Sequence, residues 1–156
     1  MDFPDLLKQF SAAVEAGDGT RLAALFTGDG VYHDTFYGEF KGRAAIKEML
    51  EQRFHRDAER FLWDFLEPVS DGMLGYARWA FSYTSKMPRN AGRRVAFEGM
   101  SQFALRGGLI RHYGEMFQGG VAFVQLGVDA ARMEKVFQRW SEAQLKSAPL
   151  ARHVKG

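Results

Sequence analysis

Phe3, Leu6, Leu7, Phe10, Ala13 and Val14 recur three and four residues apart, which gathers them on one face of a helix that Gly17 can end. A second, shorter helix is predicted after Asp18, through Leu22, Leu25 and Phe26. Thr27 to Gly30 (TGDG) reads as a turn, and Val31 to Phe36 (VYHDTF) is rich in strand formers. Gly38 to Gly42 reads as a loop, and helical spacing returns from Arg43 to about Ala58 through Ile46, Met49, Leu50 and Phe54. Beyond Phe61 the period changes. Long β-type runs cover Phe61 to Val69, Met73 to Lys86, Arg94 to Leu105 and Leu109 to Leu126. Ser70 to Gly72, Met87 to Gly92 and Gly107-Gly108 separate them, a pattern that predicts an antiparallel meander. A last helix, about Asp129 to Ser147, carries Met133, Val136, Phe137 and Trp140 on one stripe, with Pro149 as its stop. Helices followed by strands define an α+β order.

Composition narrows the class. The 156 residues, 46% apolar and 26% charged, suit one globular domain over 1–156. With no cysteine, neither a disulfide nor thiolate chemistry is available. Twenty-one Lys and Arg against nineteen Asp and Glu leave a formal charge of +2, too even a balance for a protein held to nucleic acid by phosphate contacts. The first ten residues lack a basic stretch followed by an apolar run, and no window has the roughly 18 uninterrupted apolar residues of a membrane span. A cytoplasmic protein without membrane or nucleic-acid partners is the expectation. Lys86, Arg89, Arg93 and Arg94 cluster in one hairpin and read as a solvated tip.

Ala16 to Asp18, Leu22 to Phe26 (LAALF), Gly28 to Val31, His33-Asp34, Gly38 and Gly42-Arg43 with Ile46 resemble the opening of SnoaL-like proteins in the nuclear transport factor 2-like superfamily. Gly72 to Tyr83 (GMLGYARWAFSY), Val95 to Phe103 (VAFEGMSQF) and Gly108 to Phe117 (GLIRHYGEMF) resemble the sheet strands of the same families. The resemblance implies a cone: a strongly curved antiparallel sheet wrapped around N-terminal helices, with a C-terminal helix and one apolar cavity. Fourteen Phe, five Tyr and three Trp suit such a wall, or simply fill the cone. The superfamily holds isomerases, dehydratases, epoxide hydrolases, polyketide cyclases and modules without catalytic function, so fold does not decide chemistry.

By analogy with ketosteroid isomerases, Asp34 is the candidate general base. A carboxylate at an apolar wall gains basicity; alternatively, Asp34 bonds backbone amides of the loop that follows. His33, its neighbour, points to the other face of the strand. The resemblance also turns Tyr113, Glu115 and Phe117 inward, which brings Glu115 near Asp34 as an acid beside a base with Tyr113 as hydroxyl donor. The competing reading pairs Glu115 with an arginine such as Arg78. Among Phe97 to Phe103, hydrophobicity favours Phe97, Gly99, Ser101 and Phe103 inward and Glu98 outward. The expected ligand contacts are Phe10, Trp63, Trp79, Tyr83, Ser101 and Phe117. No metal is expected, since His112 and Glu115 fall on opposite faces of one strand, and no cofactor motif occurs.

Two functions remain: a cofactor-independent isomerase, lyase or cyclase acting on a small hydrophobic carbonyl compound, or a noncatalytic binding or dimerisation module. Both alternating faces of the later strands are apolar, Met100, Ala104 and Met116 against Phe97, Phe103 and Phe117, which predicts a homodimer covering the outer face. Ketosteroid isomerases stabilise their enolate with a tyrosine of the first helix and a protonated aspartate of the sheet. Those places fall on Phe10 and on Met100 or Ser101, so efficient ketosteroid isomerisation is not expected.

Overall fold

The computed structural model describes residues 1–155. Helix α1 (Phe3–Ala16) starts where the Asp2 carboxylate accepts from the Asp5 amide, and stops at Gly17, whose φ of 68° lets its amide reach the Ala13 and Val14 carbonyls. Helix α2 (Gly19–Ala24) follows, capped by Asp18. Strand β1 (Phe26–Asp34) and the short β2 (Gly38–Lys41) form a hairpin. Helix α3 (Arg43–Met49) loosens into a π-turn (Leu50–Phe54), and α4 (His55–Asp57) leads into the meander. That meander is β3 (Ala58–Ser70), β4 (Leu74–Ser85), β5 (Arg94–Arg106) and β6 (Leu109–Phe117). Helices α5 (Gly119–Leu126) and α6 (Ala130–Leu145) close the chain.

The sheet order is β2-β1-β6-β5-β4-β3. The meander is antiparallel throughout, and β1 joins its free edge in parallel beside β6. Arg60 and Glu67 take left-handed backbone angles where β3 slips register against β4, and such bulges bend a strand. The result is a cone wrapped around α1. Phe10 plugs its narrow end, fully buried, with the rings of Trp63, Phe103 and Tyr113 centred 5.2 to 6.0 Å away.

Four segments depart from the sequence reading. Thr27 to Gly30 is not a turn; it lies within β1 as an irregularity, where β1 advances five positions (Phe26 to Val31) while β6 advances two (Ile110 to His112). Gly38 to Lys41 is a strand rather than a loop, because the hairpin carries its ladder past the Asp34 turn. The run to Leu126 breaks at Gln118: Gly119–Leu126 is helical, its Phe123 packing on Phe36 of the β1–β2 turn and on Trp140 of α6. Helix α6 ends at Leu145, before Pro149, which lies in a separate 3₁₀ turn (Ala148–Leu150).

Candidate functional site

Parallel pairing sets Tyr32 of β1 opposite Tyr113 of β6, and β5 sets Ser101 opposite Glu115. Side chains alternate along a strand, so Tyr32 and Asp34, with Tyr113, Glu115 and Phe117, turn to the concave side together. There Tyr32, Asp34, Glu115 and Phe117 meet a cavity of about 240 Å³. Its wall is mostly aromatic: Phe54, Phe61, Trp63, Trp79, Phe81, Tyr83, Phe97 and Phe117, with Asp34, Glu115 and Tyr32 as a polar patch. The exposed lining residues Phe36, Tyr37 and Met87 mark the mouth. There Tyr37 Oη donates to Asp57 Oδ2 at 2.6 Å, and Arg56 holds the same carboxylate in a two-point grip at 2.7 and 2.8 Å.

Asp34 is 5% exposed, lining the cavity and bonding backbone amides at once. Its Oδ2 accepts from the amides of Phe36 (2.9 Å) and Tyr37 (2.8 Å), while the carboxyl group faces the cavity. Glu115 Oε1 accepts from the Thr35 amide at 3.0 Å and Oε2 from Tyr113 Oη at 2.8 Å. Behind Tyr113 a directed series continues, in which Trp79 Nε1 donates to Ser101 Oγ (2.8 Å) and Ser101 donates to Tyr113 Oη (3.0 Å). Each donor in this series has one proton to give, and each points toward Glu115.

Asp34 and Glu115 share the wall of one desolvated cavity, where two like charges disfavour each other. Burial is the leading cause that raises both: Asp34 to about 6, held down by its two amides, and Glu115 to about 8, pushed further by the charge of Asp34. Between those values the pair holds a single proton, so a base and an acid sit side by side. Burial likewise raises the hydroxyls of Tyr32 and Tyr113 well above the usual tyrosine range and Tyr83 to about 12, which keeps all three protonated as donors.

Trp63, Trp79, Tyr83 and Phe117 line the cavity with Asp34 and Glu115. Tyr113, Ser101 and Phe10 do not. Tyr113 and Ser101 are inward but covered, their hydroxyls used up in the series behind Glu115; Phe10 lies deeper, filling the tip of the cone. Arg78 does not reach Glu115: it sits on the outer face, 3.0 Å from Glu67 and 4.0 Å from Glu98. Glu98 is exposed and Ser101 buried, as hydrophobicity predicts. The sequence reading missed Tyr32. Fully buried, its hydroxyl lies beside Tyr113 yet makes no hydrogen bond of acceptable geometry among the described residues. Its position two residues before Asp34 was the available signal, since that spacing shares a strand face.

A curved sheet closed over α1 with carboxyl groups at its wall places the protein among the ketosteroid isomerase-like folds. The SnoaL-like domain family model matches residues 7–113, and the chain belongs to that family. Among solved structures, it is similar to a Catenulispora acidiphila protein of ketosteroid isomerase-like fold, in complex with trimethylamine, at 20% identity and a TM-score of 0.74, covering 83% of this chain and 98% of that one. It is also similar to an LEH-like epoxide hydrolase from M. tuberculosis, at 18% identity and a TM-score of 0.64, covering 78% of this chain and 86% of that one. A polyketide cyclase candidate from Xanthomonas campestris matches at 19% identity and a TM-score of 0.65, over 79% of this chain and 95% of that one. No curated protein matches. Among the described residues, no helix is long and apolar enough to cross a membrane.

Proposed function

We propose that the protein is a cofactor-independent enzyme that enolises a small hydrophobic carbonyl compound, the step shared by isomerases and aldol-type cyclases. The observation that carries this reading is the meeting of the Asp34 and Glu115 carboxyl groups with the unpartnered Tyr32 hydroxyl at the wall of one aromatic cavity. Asp34, as carboxylate, removes a proton from the carbon next to the carbonyl. Tyr32 donates to the oxygen on which negative charge grows, an interaction that strengthens as the reaction proceeds. Glu115 supplies the proton that the product needs, either at a second carbon or at the oxygen of an attacked carbonyl. Tyr113, Ser101 and Trp79 act through Glu115, by fixing its position. The family membership and the cyclase-like and isomerase-like neighbours agree with this class of reaction.

A second reading, noncatalytic binding of a lipophilic molecule, is favoured by the grip of two amides on Asp34, which weakens it as a base. The experiment that separates them is exchange of the α-hydrogens of 2-tetralone with solvent deuterium, followed by NMR. Exchange accelerated by the protein and abolished by Asp34→Asn supports enolisation. Binding of the ketone without exchange supports the second reading. We further propose a homodimer formed through the outer sheet face, where Met100 and Met116 lie opposite each other and are 47% and 79% exposed.

A further inference from the structure

The convex face of the sheet carries a second cluster, on the far side from the carboxyl pair. His33 of β1 sits directly across the ladder from Glu39 of β2, and His112 of β6 stands opposite Val31, one same-face step from His33. One donor atom from each of the three residues lies within 4.8 Å of the other two, and His33 Nδ1 is 3.8 Å from Glu39 Oε1. The imidazoles of His33 and His112 meet edge to face, their centres 6.5 Å apart.

We propose that His33, Glu39 and His112 bind one divalent transition-metal ion of the zinc or cobalt type. Two imidazoles and a carboxylate suit these borderline ions, whereas magnesium and calcium prefer all-oxygen sites. Bonds of 2.0 to 2.1 Å in tetrahedral geometry put neighbouring donors about 3.3 Å apart. The three side chains therefore need to close by about 1.5 Å at most, which rotation of the exposed His33 and Glu39 provides. Water completes the coordination, because the cluster opens to solvent. Lys41 competes for Glu39, its Nζ 3.6 Å from Glu39 Oε2, and its side chain is mostly exposed, so it can swing away. Three ligands on three neighbouring strands make the ion a clamp that ties the four-residue edge strand β2 to β1 and β6. No single segment holds two of these ligands at a motif spacing, so only the strand register brings them together.

The test is calorimetric titration of the untagged protein with zinc chloride, and of the variants His33→Ala, Glu39→Gln and His112→Ala, whose folding is checked by circular dichroism. One zinc per protomer is expected, with affinity reduced at least tenfold in each variant. Lys41→Ala is expected to tighten binding, because it removes the competing charge. Cobalt should give visible d–d bands in the original protein that the His112→Ala variant lacks. No heat of zinc binding at a hundred micromolar ion, or binding unchanged in all three ligand variants, overturns the proposal. Neither result bears on the Asp34–Glu115 pair, which the deuterium exchange tests separately.

Discussion

His33 and Asp34 are neighbours in β1, yet they live in different solvents. Asp34 faces an aromatic cavity where desolvation raises its carboxyl group, while His33 faces water beside Glu39. The same contrast repeats in β6, where Glu115 is inward and His112 and Met116 are outward. One strand pair thus presents two unrelated chemistries, kept apart by the thickness of a single sheet. The lesson is that the alternation of strand faces, more than residue type, decides what a side chain here can do.

The sharpest way to break this comparison is to change one face and read the other. Asp34→Asn is expected to lower enolisation at least a thousandfold, while His33→Ala, one residue away, changes it less than twofold; deuterium exchange measures both. Loss of activity in His33→Ala with the fold intact would show that the faces are coupled. Tyr32→Phe removes one donor to the developing oxyanion and is expected to lower the rate a hundredfold to a thousandfold. A double-bond migration assay on a β,γ-unsaturated ketosteroid sharpens the same point. With Phe10 and Ser101 unable to reach the substrate, turnover should stay at least a hundredfold below a dedicated isomerase, and a rate within tenfold would refute the arrangement.

Titration distinguishes the faces differently. The rate is expected to peak between about pH 6 and pH 8, where the buried pair holds one proton, and to fall on both sides. Stability should follow its own course. Because both carboxyl groups titrate higher in the folded protein than unfolded, the native state holds more protons, so this contribution is full below about pH 4 and is lost as pH rises to about 8. Glu115→Gln should flatten that slope, as read by urea midpoints across pH. The smallest effect belongs to the outer face: Met116→Asp is expected to halve the mass in light scattering at micromolar concentration without altering exchange in the cavity.

Much of this was legible beforehand. The helical period of Phe3 to Val14 and the alternation of Phe97 to Phe103 reported their own burial, because each is local and strongly periodic. Asp34 and Glu115 could be placed on one side by alternation and resemblance. What could not be read is what depends on a third partner. Phe10 satisfied the periodicity of a wall residue but sits behind the wall, since only the packing of α1 says how deep the cone is filled. Ser101 turned inward as expected, and Trp79 then covered it. The β2 strand was hidden because its four residues include Gly38 and two charges, and it is the pairing with β1, a non-local contact, that makes it a strand. The cluster of His33, Glu39 and His112 was hidden for the same reason.

Trp79 stacks so closely over β5 that a Cβ at Gly99 would lie 2.4 Å from its ring, and its indole N–H begins the series that ends on Glu115. Trp63 lines the same cavity, while the third indole, Trp140, packs on Phe36 and Phe123 at its door. The protein therefore carries its own optical reporters. Quenching by a bromoalkane should find the inner indoles shielded, a cavity occupant should shift their emission, and a fluorescence titration without any label should display the deprotonation of the carboxyl pair.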